Sequence, residues 1–379
     1  MNVGDATSGM RACILTGGGD APGLNAVLRG FVKHGAQLGL EVFGSEDGFE
    51  GLLDAREGGR VRRLDAAAVR GILPRGGSIL GCSNRSNPFA VPLTKGGREL
   101  RDASADVVAR VREHRFDALV LVGGDGTMGY ARRFMALGVP CIGVPKTIDN
   151  DLGATDQTFG FDTAVTTATW AIDNLHSTAE AHDRVMILEV MGRYAGWIAL
   201  AAGVAGGADV ILVPELPYDL DRVIAKIEAR GRAGSAFTIV VVAEGARPID
   251  GGLSTISPIA EPTIPGLHAR LGGAGERLAR ALEGRVDHEV RVTVLGHLQR
   301  GGSPSSYDRI LGTRMGVHAA ELCARRAFGR MVVLHGTQVD CVPLEHVGEG
   351  LRLVDPRGQL CVAARAMGVE LGALAPDLG

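Results

Sequence analysis

Residues 118–127 read Ala-Leu-Val-Leu-Val-Gly-Gly-Asp-Gly-Thr, an apolar run followed directly by a loop of glycines and one aspartate. An uninterrupted apolar run of this length is typical of a parallel strand that is covered on both faces. Glycine lets the backbone come close to a ligand, and ligands of open parallel sheets bind beyond the carboxyl ends of the strands. The stretch therefore predicts an α/β fold with a binding site at this strand end.

Apolar strand-like runs alternate with helical patterns along most of the chain. The predicted strands are Ala12–Leu15, Ala118–Val122, Cys141–Val144, Val185–Val190, Val210–Val213, Phe237–Ala243 and Val292–Leu295. The predicted helices include Asn25–His34, Asp162–Ala179, Leu220–Arg230 and Arg309–Arg325. This alternation favours α/β layers with mainly parallel sheets. The length of 379 residues predicts two domains, since a domain takes roughly 150 residues.

Glycine accounts for 56 residues, about twice its usual share of ~7%. The 45% hydrophobic content argues against disorder. The glycines follow no three-residue repeat, which argues against collagen. We therefore expect them at special turns and at places where the backbone approaches another group closely.

Charge, hydropathy and cysteine spacing exclude several classes of protein. A net charge of −3 argues against a nucleic-acid partner. The weakly polar stretch Ala195–Ala208 is too short and too rich in glycine to cross a bilayer, so we expect no membrane association. The six cysteines show no CxxC spacing, which argues against a zinc site or a disulfide framework and favours a cytoplasmic location. We interpret Met1–Met10 as a frayed leader, with Met1 or Met10 as the start.

Three glycines, Gly17–Gly19, follow the first predicted strand and precede a helix. Their backbone N–H groups can turn toward an anion, and the N-terminal end of the following helix adds positive potential. No GxxxxGK[ST] pattern occurs, which argues against a P-loop NTPase. For this loop alone, an ordinary tight turn is an equally good interpretation.

The loop after Val122 matches GxGxxG from Gly124 to Gly129. Alone, this pattern is compatible with the dinucleotide site of a NAD-dependent oxidoreductase. Asp125, however, would place a carboxylate against the pyrophosphate, and this is repulsive unless a divalent cation lies between them. We therefore interpret the loop as a site for a magnesium-bound nucleotide.

Lys146, Thr147, Asp149 and Asp151 occur within six residues at the end of the third predicted strand. A cation and a hydroxyl can hold phosphate oxygens, and one carboxylate can accept the proton of an alcohol nucleophile. The other carboxylate can assist with a metal or hold the loop. The alternative is a solvated turn whose acidic side chains cap a helix.

A predicted strand near the C-terminal end carries a second group of basic residues. Arg291 opens this strand, and His297 and Arg300 follow it in a glycine-rich loop. Arginine binds phosphate in a forked geometry. We therefore predict a second phosphate site around this strand end.

Together these loops resemble those of the phosphofructokinase family. The segments that carry the resemblance are Gly18–Asn25, Gly124–Thr127, Pro145–Asp151, Met191–Arg193 and Gly296–Arg300. They occur in the family's order and at close to its spacing, from about Arg11 to Arg330. The segment 124–127 alone also occurs in lipid and NAD kinases, but its combination with the other segments argues against those families.

The resemblance implies glycolytic transfer of a phosphoryl group from MgATP to the 1-hydroxyl of fructose 6-phosphate. By this resemblance Asp149 is the catalytic base, Arg193 stabilises the transferring group and Asp125 is the magnesium-associated acid. The implied catalytic residues are Asp149, Thr147, Arg193 and Lys146. The implied nucleotide-binding residues are Gly19, Arg85, Gly124, Asp125, Gly126 and Thr127. The implied sugar-phosphate-binding residues are Thr147, Asp149, Asp151, Arg184, Met191, Gly192, Arg193, Glu244, Arg291, His297 and Arg300.

The resemblance also implies an assembly and a domain division. Arg184 and Arg291 match arginines that family members supply across a subunit interface, which implies a homo-oligomer, either a dimer or a tetramer. It further implies two Rossmann-like three-layer domains with the active site in the cleft between them. We place a nucleotide-binding domain at 1–160 plus about 299–349, and a sugar-phosphate-binding domain at 161–298 plus about 350–379.

Two residues point to different phosphoryl donors. Gly126 is the small residue typical of ATP users, whereas pyrophosphate-dependent members usually have aspartate there. Lys146 is typical of the pyrophosphate-dependent members. We favour ATP, because Gly126 leaves the nucleotide unobstructed and either donor can use the charge of Lys146.

Regulation is expected to be weak. Arg29 and Lys33 fit the basic effector-binding cluster of regulated family members, but the other matching positions hold His176, Ala233 and Ser235. We therefore expect little control by ADP or phosphoenolpyruvate at that site.

Other functions stay open from the sequence. A pyrophosphate-dependent phosphotransferase of the same fold is the nearest alternative. A NAD-dependent oxidoreductase is a second, and a catalytically inactive sugar-phosphate sensor is a third. A related acceptor such as sedoheptulose 7-phosphate is also open, because acceptor length depends on the shape of the pocket.

Overall fold

The protein is described from a computed structural model, which covers residues 9–84, 87–94, 99–235, 237–252, 272–347 and 350–373. The strands are β1 (Arg11–Thr16), β2 (Glu41–Ser45), β3 (Val61–Leu64), β4 (Val91–Pro92), β5 (Leu100–Arg101), β6 (Ala118–Gly123), β7 (Cys141–Thr147), β8 (Phe159–Gly160), β9 (Val185–Val190), β10 (Val210–Leu212), β11 (Thr238–Ala243), β12 (Val290–Val294), β13 (Arg330–His335) and β14 (Gln338–Pro343). The helices are α1 (Leu24–Gln37), α2 (Glu50–Leu53), α3 (Ser104–Glu113), α4 (Asp125–Ala136), α5 (Phe161–His182), α6 (Trp197–Ala205), α7 (Leu220–Arg232), α8 (Ala274–Leu282), α9 (Ser306–Ala324) and α10 (Gln359–Ala366). Two short 3-10 helices lie at Gly296–Arg300 and Leu344–His346.

The strands form two main sheets. The larger has the order β14-β13-β7-β6-β1-β2-β3, with β8 paired to β7. It is parallel except for β3 and β14, which pair antiparallel with β2 and β13 at its two edges. The smaller has the order β10-β11-β9-β12 and is wholly parallel. The predicted α/β class with mainly parallel sheets is confirmed.

Each main sheet is covered by helices on both faces. In β6, Val120 and Val122 belong to the core shared with α1 and α9, whereas Leu119 and Leu121 belong to the core shared with α3 and α4. This alternation explains why the strand reads as a continuous apolar run: both of its faces are buried. β9 divides its side chains in the same way between two further cores.

The predicted strands and helices are all present, with ends that differ by at most three residues. Strands β2, β3 and β14 were not predicted, because partly exposed residues interrupt their apolar runs, and β13, an apolar run buried next to the edge, was also missed. Met10, assigned above to a frayed leader, is buried in the core of the larger sheet, so that assignment is wrong at this residue. Residues 1–8 of that segment lie outside the described residues.

The chain returns to each sheet late in its sequence. β13 and β14 extend the larger sheet, whereas α10 packs against the core of the smaller sheet. The chain thus adds to the larger sheet first and to the smaller sheet afterwards, which is the order of the two late segments in the predicted domain division. The domain boundaries themselves stay a prediction. Among the described residues, no helix combines the length and the apolar character needed to cross a membrane.

Glycine lets α1 and α9 pack with their backbones almost in contact. A Cβ added to Gly30 would lie 2.6 Å from the Thr313 carbonyl oxygen, and one added to Gly316 would overlap the Val27 carbonyl oxygen. Neither obstacle is a flexible side chain, so a larger residue would force the helices apart. Part of the glycine excess thus serves helix packing, not ligand binding.

We predict that Gly316→Ala lowers the free energy of unfolding by about 1–3 kcal/mol, the usual cost of overpacking. Gly129→Ala in α4 is the matched control, because a Cβ there meets no atom within 4 Å. Alanine favours helix over glycine by about 1 kcal/mol, so this control should be neutral or stabilising. Chemical denaturation at fixed protein concentration measures both, and equal effects of the two substitutions would contradict the packing argument.

Candidate active site

The carboxyl ends of both main sheets face one cleft. It contains two adjoining cavities of about 680 and 500 Å³. Residues of both sheets line it, and the two cavities share Gly18, Gly19, Asn84, Met191, Arg193, Glu244 and Arg300. The sequence prediction that several strand ends converge on one site is therefore confirmed in its geometry.

The glycine loop after β1 places bare backbone against basic side chains. Gly18 has a φ of 72°, which favours glycine. A Cβ on Gly19 would lie 3.1 Å from Arg300 Nη1, and the Gly19 carbonyl oxygen accepts a hydrogen bond from Lys146 Nζ. Any side chain at Gly19 would therefore crowd the cations at the centre of the cleft.

The N-terminal end of α4 opens into the same cleft. Gly124, Gly126 and Thr127 line the smaller cavity, and Asp125 is exposed between them. A Cβ on Gly126 would have no described atom within 4 Å, so open space lies beside it. Free N–H groups and the positive end of a helix form a ready anion site.

Lys146 is a buried cation at the end of β7, with 4% of its surface exposed. Burial, with a smaller contribution from the nearby Arg300, lowers the pKa of its ammonium group to about 8, although Asp20 and Asp149 oppose this shift. Its contact with the Gly19 carbonyl joins the end of β7 to the glycine loop after β1.

Asp149 is the most unusual carboxylate of the cleft. Its Oδ1 is buried and has no hydrogen-bond partner within the described chain. Burial, followed by the negative charge of Asp151, raises the pKa of its carboxyl group, whereas Arg300 and Arg193 lower it. A buried acceptor without a partner is costly. Such an atom at the wall of a cavity is a candidate contact for a bound hydroxyl.

Hydrogen bonds within the loop hold Asp149 and Asp151 in place. The Thr147 hydroxyl donates to Asp151 Oδ1 at 3.1 Å and accepts from the Asp149 backbone N–H at 3.1 Å. Asn150 between them adopts a φ of 53°, and its side-chain oxygen accepts the Thr158 N–H at 3.0 Å. The turn is therefore built around the two carboxylates, which a solvated helix cap would not need.

The smaller sheet supplies the opposite wall. Met191 and Arg193 line both cavities, and Gly192 between them has a φ of 138°. Burial, and then the charge of Asp149, raises the pKa of Glu244 to about 7, while Arg193 opposes that shift. This wall therefore offers one guanidinium and one carboxyl group that is easily protonated.

The predicted basic cluster of the C-terminal strand divides into two places. His297 lines the larger cavity and Arg300 lines both, where Arg300 donates to the Asp20 carbonyl at 3.2 Å. Arg291 lies instead at the opposite end of β12, paired with Glu289. The prediction that both arginines surround one strand end is wrong, because a parallel strand separates its first and last residues by its full length.

Arg184 lies beside Arg291, outside the cavities of its own chain. It precedes β9 and pairs with the same Glu289 carboxylate at 2.5 Å. Because two arginines share this one half-exposed carboxylate, the surface at this end of the smaller sheet keeps a net positive charge. Arg85 falls outside the described residues, so its predicted role stays a prediction.

Gln299 is a site residue to which the sequence reasoning gave no role. It is fully buried, and its Oε1 accepts the Met191 backbone N–H at 2.8 Å, which positions the segment from Met191 to Arg193. Asn84 and Tyr130 also line the cleft without having been predicted. Neither residue comes directly after a predicted strand, and the site was predicted only from the loops that do.

Asp125 and Asp151 could hold a divalent cation. The charge of Asp125 contributes to a raised pKa of Asp151, so Asp125 acts on Asp151 within the cleft. Oxygen donors beside an anion-binding backbone are the ligands that Mg²⁺ prefers, together with phosphate. The residues therefore fit the predicted magnesium ion.

Comparison with known proteins agrees with this geometry. The sequence model of the family described as "Phosphofructokinase" matches residues 11–323. An ATP-dependent 6-phosphofructokinase of Chloroflexus aurantiacus is 50% identical over 367 residues, which are 97% of this chain and 99% of that protein. A pyrophosphate–fructose 6-phosphate 1-phosphotransferase of Streptomyces coelicolor is 50% identical over 350 residues, 92% of this chain and 97% of that protein.

A solved structure of phosphofructokinase from Saccharomyces cerevisiae matches with a TM-score of 0.73 and 29% identity, covering 89% of this chain and 45% of that one. The fold and the cleft define an α/β protein whose candidate active site lies between two mainly parallel sheets. The chain belongs to the phosphofructokinase family. It spans nearly the whole length of the Chloroflexus and Streptomyces relatives and less than half of the Saccharomyces chain.

We predict that Asp151→Asn shifts the titration of Asp149 to lower pH. The substitution removes the negative charge that raises the Asp149 pKa, so this carboxyl group should stay ionised in more acidic solution. Infrared difference spectra between each protein and its Asp149→Asn derivative follow the carboxylate band against pH. Asp156→Asn, a few residues further along the chain, is the control and should leave the titration unchanged. An identical Asp149 titration with and without Asp151 would contradict the coupling.

Proposed function

We propose that the protein is an ATP-dependent 6-phosphofructokinase, which converts fructose 6-phosphate and MgATP to fructose 1,6-bisphosphate and ADP. The observation that carries this proposal is the buried Oδ1 of Asp149, which has no hydrogen-bond partner among the described residues and lies beside Arg193, facing the glycine loop across one cleft. A carboxylate acceptor, an anion-binding backbone and fixed cations are the parts that phosphoryl transfer to an alcohol requires. The name of the Chloroflexus relative supports the same reaction.

Asp149 is the proposed general base. Its Oδ1 takes the proton of the sugar 1-hydroxyl as the hydroxyl oxygen forms a bond to the γ-phosphorus. The bond from that phosphorus to the bridging oxygen of ATP breaks, and ADP leaves. The raised pKa of Asp149 makes its carboxylate a stronger base than an ordinary aspartate, while the ion remains stable next to Arg193 and Arg300.

Lys146, Thr147 and Arg193 are proposed to act on the transferring group. Arg193 has access to both cavities, so its guanidinium can contact phosphoryl oxygens between donor and acceptor. Lys146 supplies a buried positive charge from the β7 side. Thr147 acts indirectly, because its two hydrogen bonds hold the turn that carries Asp149 and Asp151.

The nucleotide is proposed to bind on the side of the larger sheet. Gly19, Gly124, Gly126 and Thr127 offer backbone and hydroxyl donors to its phosphates, and we assign Arg85 to the same phosphates by family resemblance. Asp125, with Asp151 nearby, would hold Mg²⁺. This ion would neutralise phosphate charge when bound.

Fructose 6-phosphate is proposed to bind on the side of the smaller sheet, against Met191, Gly192, Glu244, His297 and Arg300. We propose that Arg184 and Arg291 complete the site of a neighbouring subunit. Both lie away from the cavities of their own chain, held by Glu289. The active enzyme would then be a cytoplasmic homo-oligomer.

A pyrophosphate-dependent phosphotransferase is the second candidate. Lys146 favours it by family resemblance. The Streptomyces relative, which is named as a pyrophosphate enzyme, is as similar to this chain as the Chloroflexus relative, at 50% identity. The open space at Gly126 favours ATP, because the nucleotide meets no side chain there.

One activity matrix decides between these candidates. The purified protein is assayed with MgATP or magnesium pyrophosphate as donor, against fructose 6-phosphate or sedoheptulose 7-phosphate as acceptor. We expect turnover with MgATP and fructose 6-phosphate. Turnover with pyrophosphate but not with MgATP would reject the donor assignment. Ligand binding without any turnover would reject the enzyme assignment in favour of a sensor, and NADH binding would favour the oxidoreductase.

We predict that Gly126→Asp lowers kcat/KM for MgATP by at least about tenfold. A repulsion of ~1.4 kcal/mol between the new carboxylate and the nucleotide phosphates in the transition state is enough for this factor. The new carboxylate would extend into the open space beside the nucleotide phosphates and repel them. Gly129→Ala, in the first turns of the same helix, is the matched control and should retain the wild-type value. An unchanged kcat/KM for MgATP in Gly126→Asp would contradict the proposed nucleotide position.

A further inference from the structure

A group of potential metal ligands lies on the outer part of the larger sheet, away from the cleft. His318 belongs to α9, and Asp340 and Cys341 belong to the edge strand β14. One potential ligand atom of each lies within 4.8 Å of the other two. None of the three lines the cavities of the active-site cleft, so the proposed phosphotransferase chemistry does not account for them.

The imidazole of His318 is arranged like that of a metal ligand. Its Nδ1 lies 3.5 Å from a carboxylate oxygen of Glu321, one helical turn further along α9. Its Nε2 is buried and has no hydrogen-bond partner within the described chain. A carboxylate at one ring nitrogen keeps the proton on that nitrogen and leaves the other as a lone-pair donor, which is the usual second contact of metal-bound histidine.

Glu321 is itself held at the centre of a small network. Its second oxygen lies 3.6 Å from His34 Nε2 of α1, and Arg325 lies 3.6 Å from the oxygen that faces His318. Neighbours on three sides restrict the carboxylate to the position from which it orients His318. Glu321 would therefore act as a positioning residue, not as a ligand.

The donor set selects the kind of metal. One imidazole nitrogen, one sulfur and one carboxylate oxygen suit zinc and its analogue Co²⁺, which accept four-coordinate sites with nitrogen and sulfur ligands. Mg²⁺ and Ca²⁺ prefer oxygen donors alone. Three protein ligands leave the fourth position of a tetrahedral ion to water.

One local contact must change when an ion binds, and a second can stay. Arg330, on the neighbouring strand β13, donates a hydrogen bond to Cys341 Sγ at 3.7 Å. Asp340 Oδ1 accepts the Cys341 backbone N–H at 2.7 Å, which leaves its other oxygen for a metal. Arg330 is the exposed first residue of β13, so its side chain can move away from the sulfur. The thiol proton of Cys341 would be released to solvent when the metal binds.

We propose that His318, Asp340 and Cys341 form a binding site for a zinc-class divalent ion, which ties α9 to the edge strand β14. The site is independent of the proposed function. The spacing of the cysteines argued against a zinc site, but that argument covers only ligands that are close in sequence, and here the ligands come from two separate elements. A bound ion would fasten the last hairpin of the larger sheet to the helix that packs against α1.

The test is a titration of the metal-free, full-length protein with Co²⁺, followed by absorption spectroscopy. A thiolate-to-cobalt charge-transfer band that saturates at one equivalent per chain, and that Zn²⁺ abolishes by displacement, is expected. Cys341→Ser should remove the band, and His318→Ala should weaken Co²⁺ binding by more than tenfold. Glu321→Gln should weaken it by about tenfold while keeping the band, as for other residues that orient metal ligands.

Cys82→Ser is the matched control, because Cys82 is the other partly exposed cysteine of the described chain and lies in the active-site cleft. It should leave the band unchanged. Zn²⁺ should also raise the Tm of the wild-type protein, reversibly with a chelator, by mass action. Absence of a thiolate band, its survival in Cys341→Ser or its loss in Cys82→Ser would each overturn the proposal.

Discussion

The site depends on the burial of negative charge next to positive charge where two sheets meet. Asp149 and Asp151 lie two residues apart in a turn that is largely withdrawn from water, where burial raises the pKa of both carboxyl groups and the charge of Asp151 raises that of Asp149 further. Arg193 and Arg300 approach from the smaller sheet and Lys146 from the larger, and their charges offset that cost. Since the two carboxylates follow a strand of the larger sheet and two of the three cations come from the smaller sheet, the arrangement requires both sheets to be in place.

Close backbone packing makes this convergence possible. In the cleft, Gly19 lets Arg300 and Lys146 meet the loop after β1. Behind the larger sheet, Gly316 lets α9 lie against α1. The glycine excess therefore has at least two physical uses, of which only the first was expected from the sequence. In both, a Cβ would meet groups that have little freedom to move away.

The central strands and the main site residues could be predicted from the sequence, because both follow from local patterns. A strand buried on both faces reads as an apolar run, and parallel strands bring their carboxyl ends together. What depends on register or on distant partners could not be predicted. Arg291, which opens its strand, was wrongly grouped with the residues that follow the other end. The role of Gln299 depends on a contact with Met191, and the His318 cluster joins residues of separate elements. Edge strands such as β14 lack the continuous apolar signal.

The central claim is that Asp149 is the base for phosphoryl transfer. Rapid-quench, single-turnover reaction of MgATP with fructose 6-phosphate measures that step apart from product release. Asp308→Asn is the control, because burial raises the pKa of Asp308 to about 6 as well, but Asp308 is fully buried and lies outside the cleft. The account predicts that Asp149→Asn slows the chemical step by at least ~100-fold with little change in fructose 6-phosphate affinity, while Asp308→Asn stays near the wild-type rate. A chemical step in Asp149→Asn within a few-fold of wild type would contradict it.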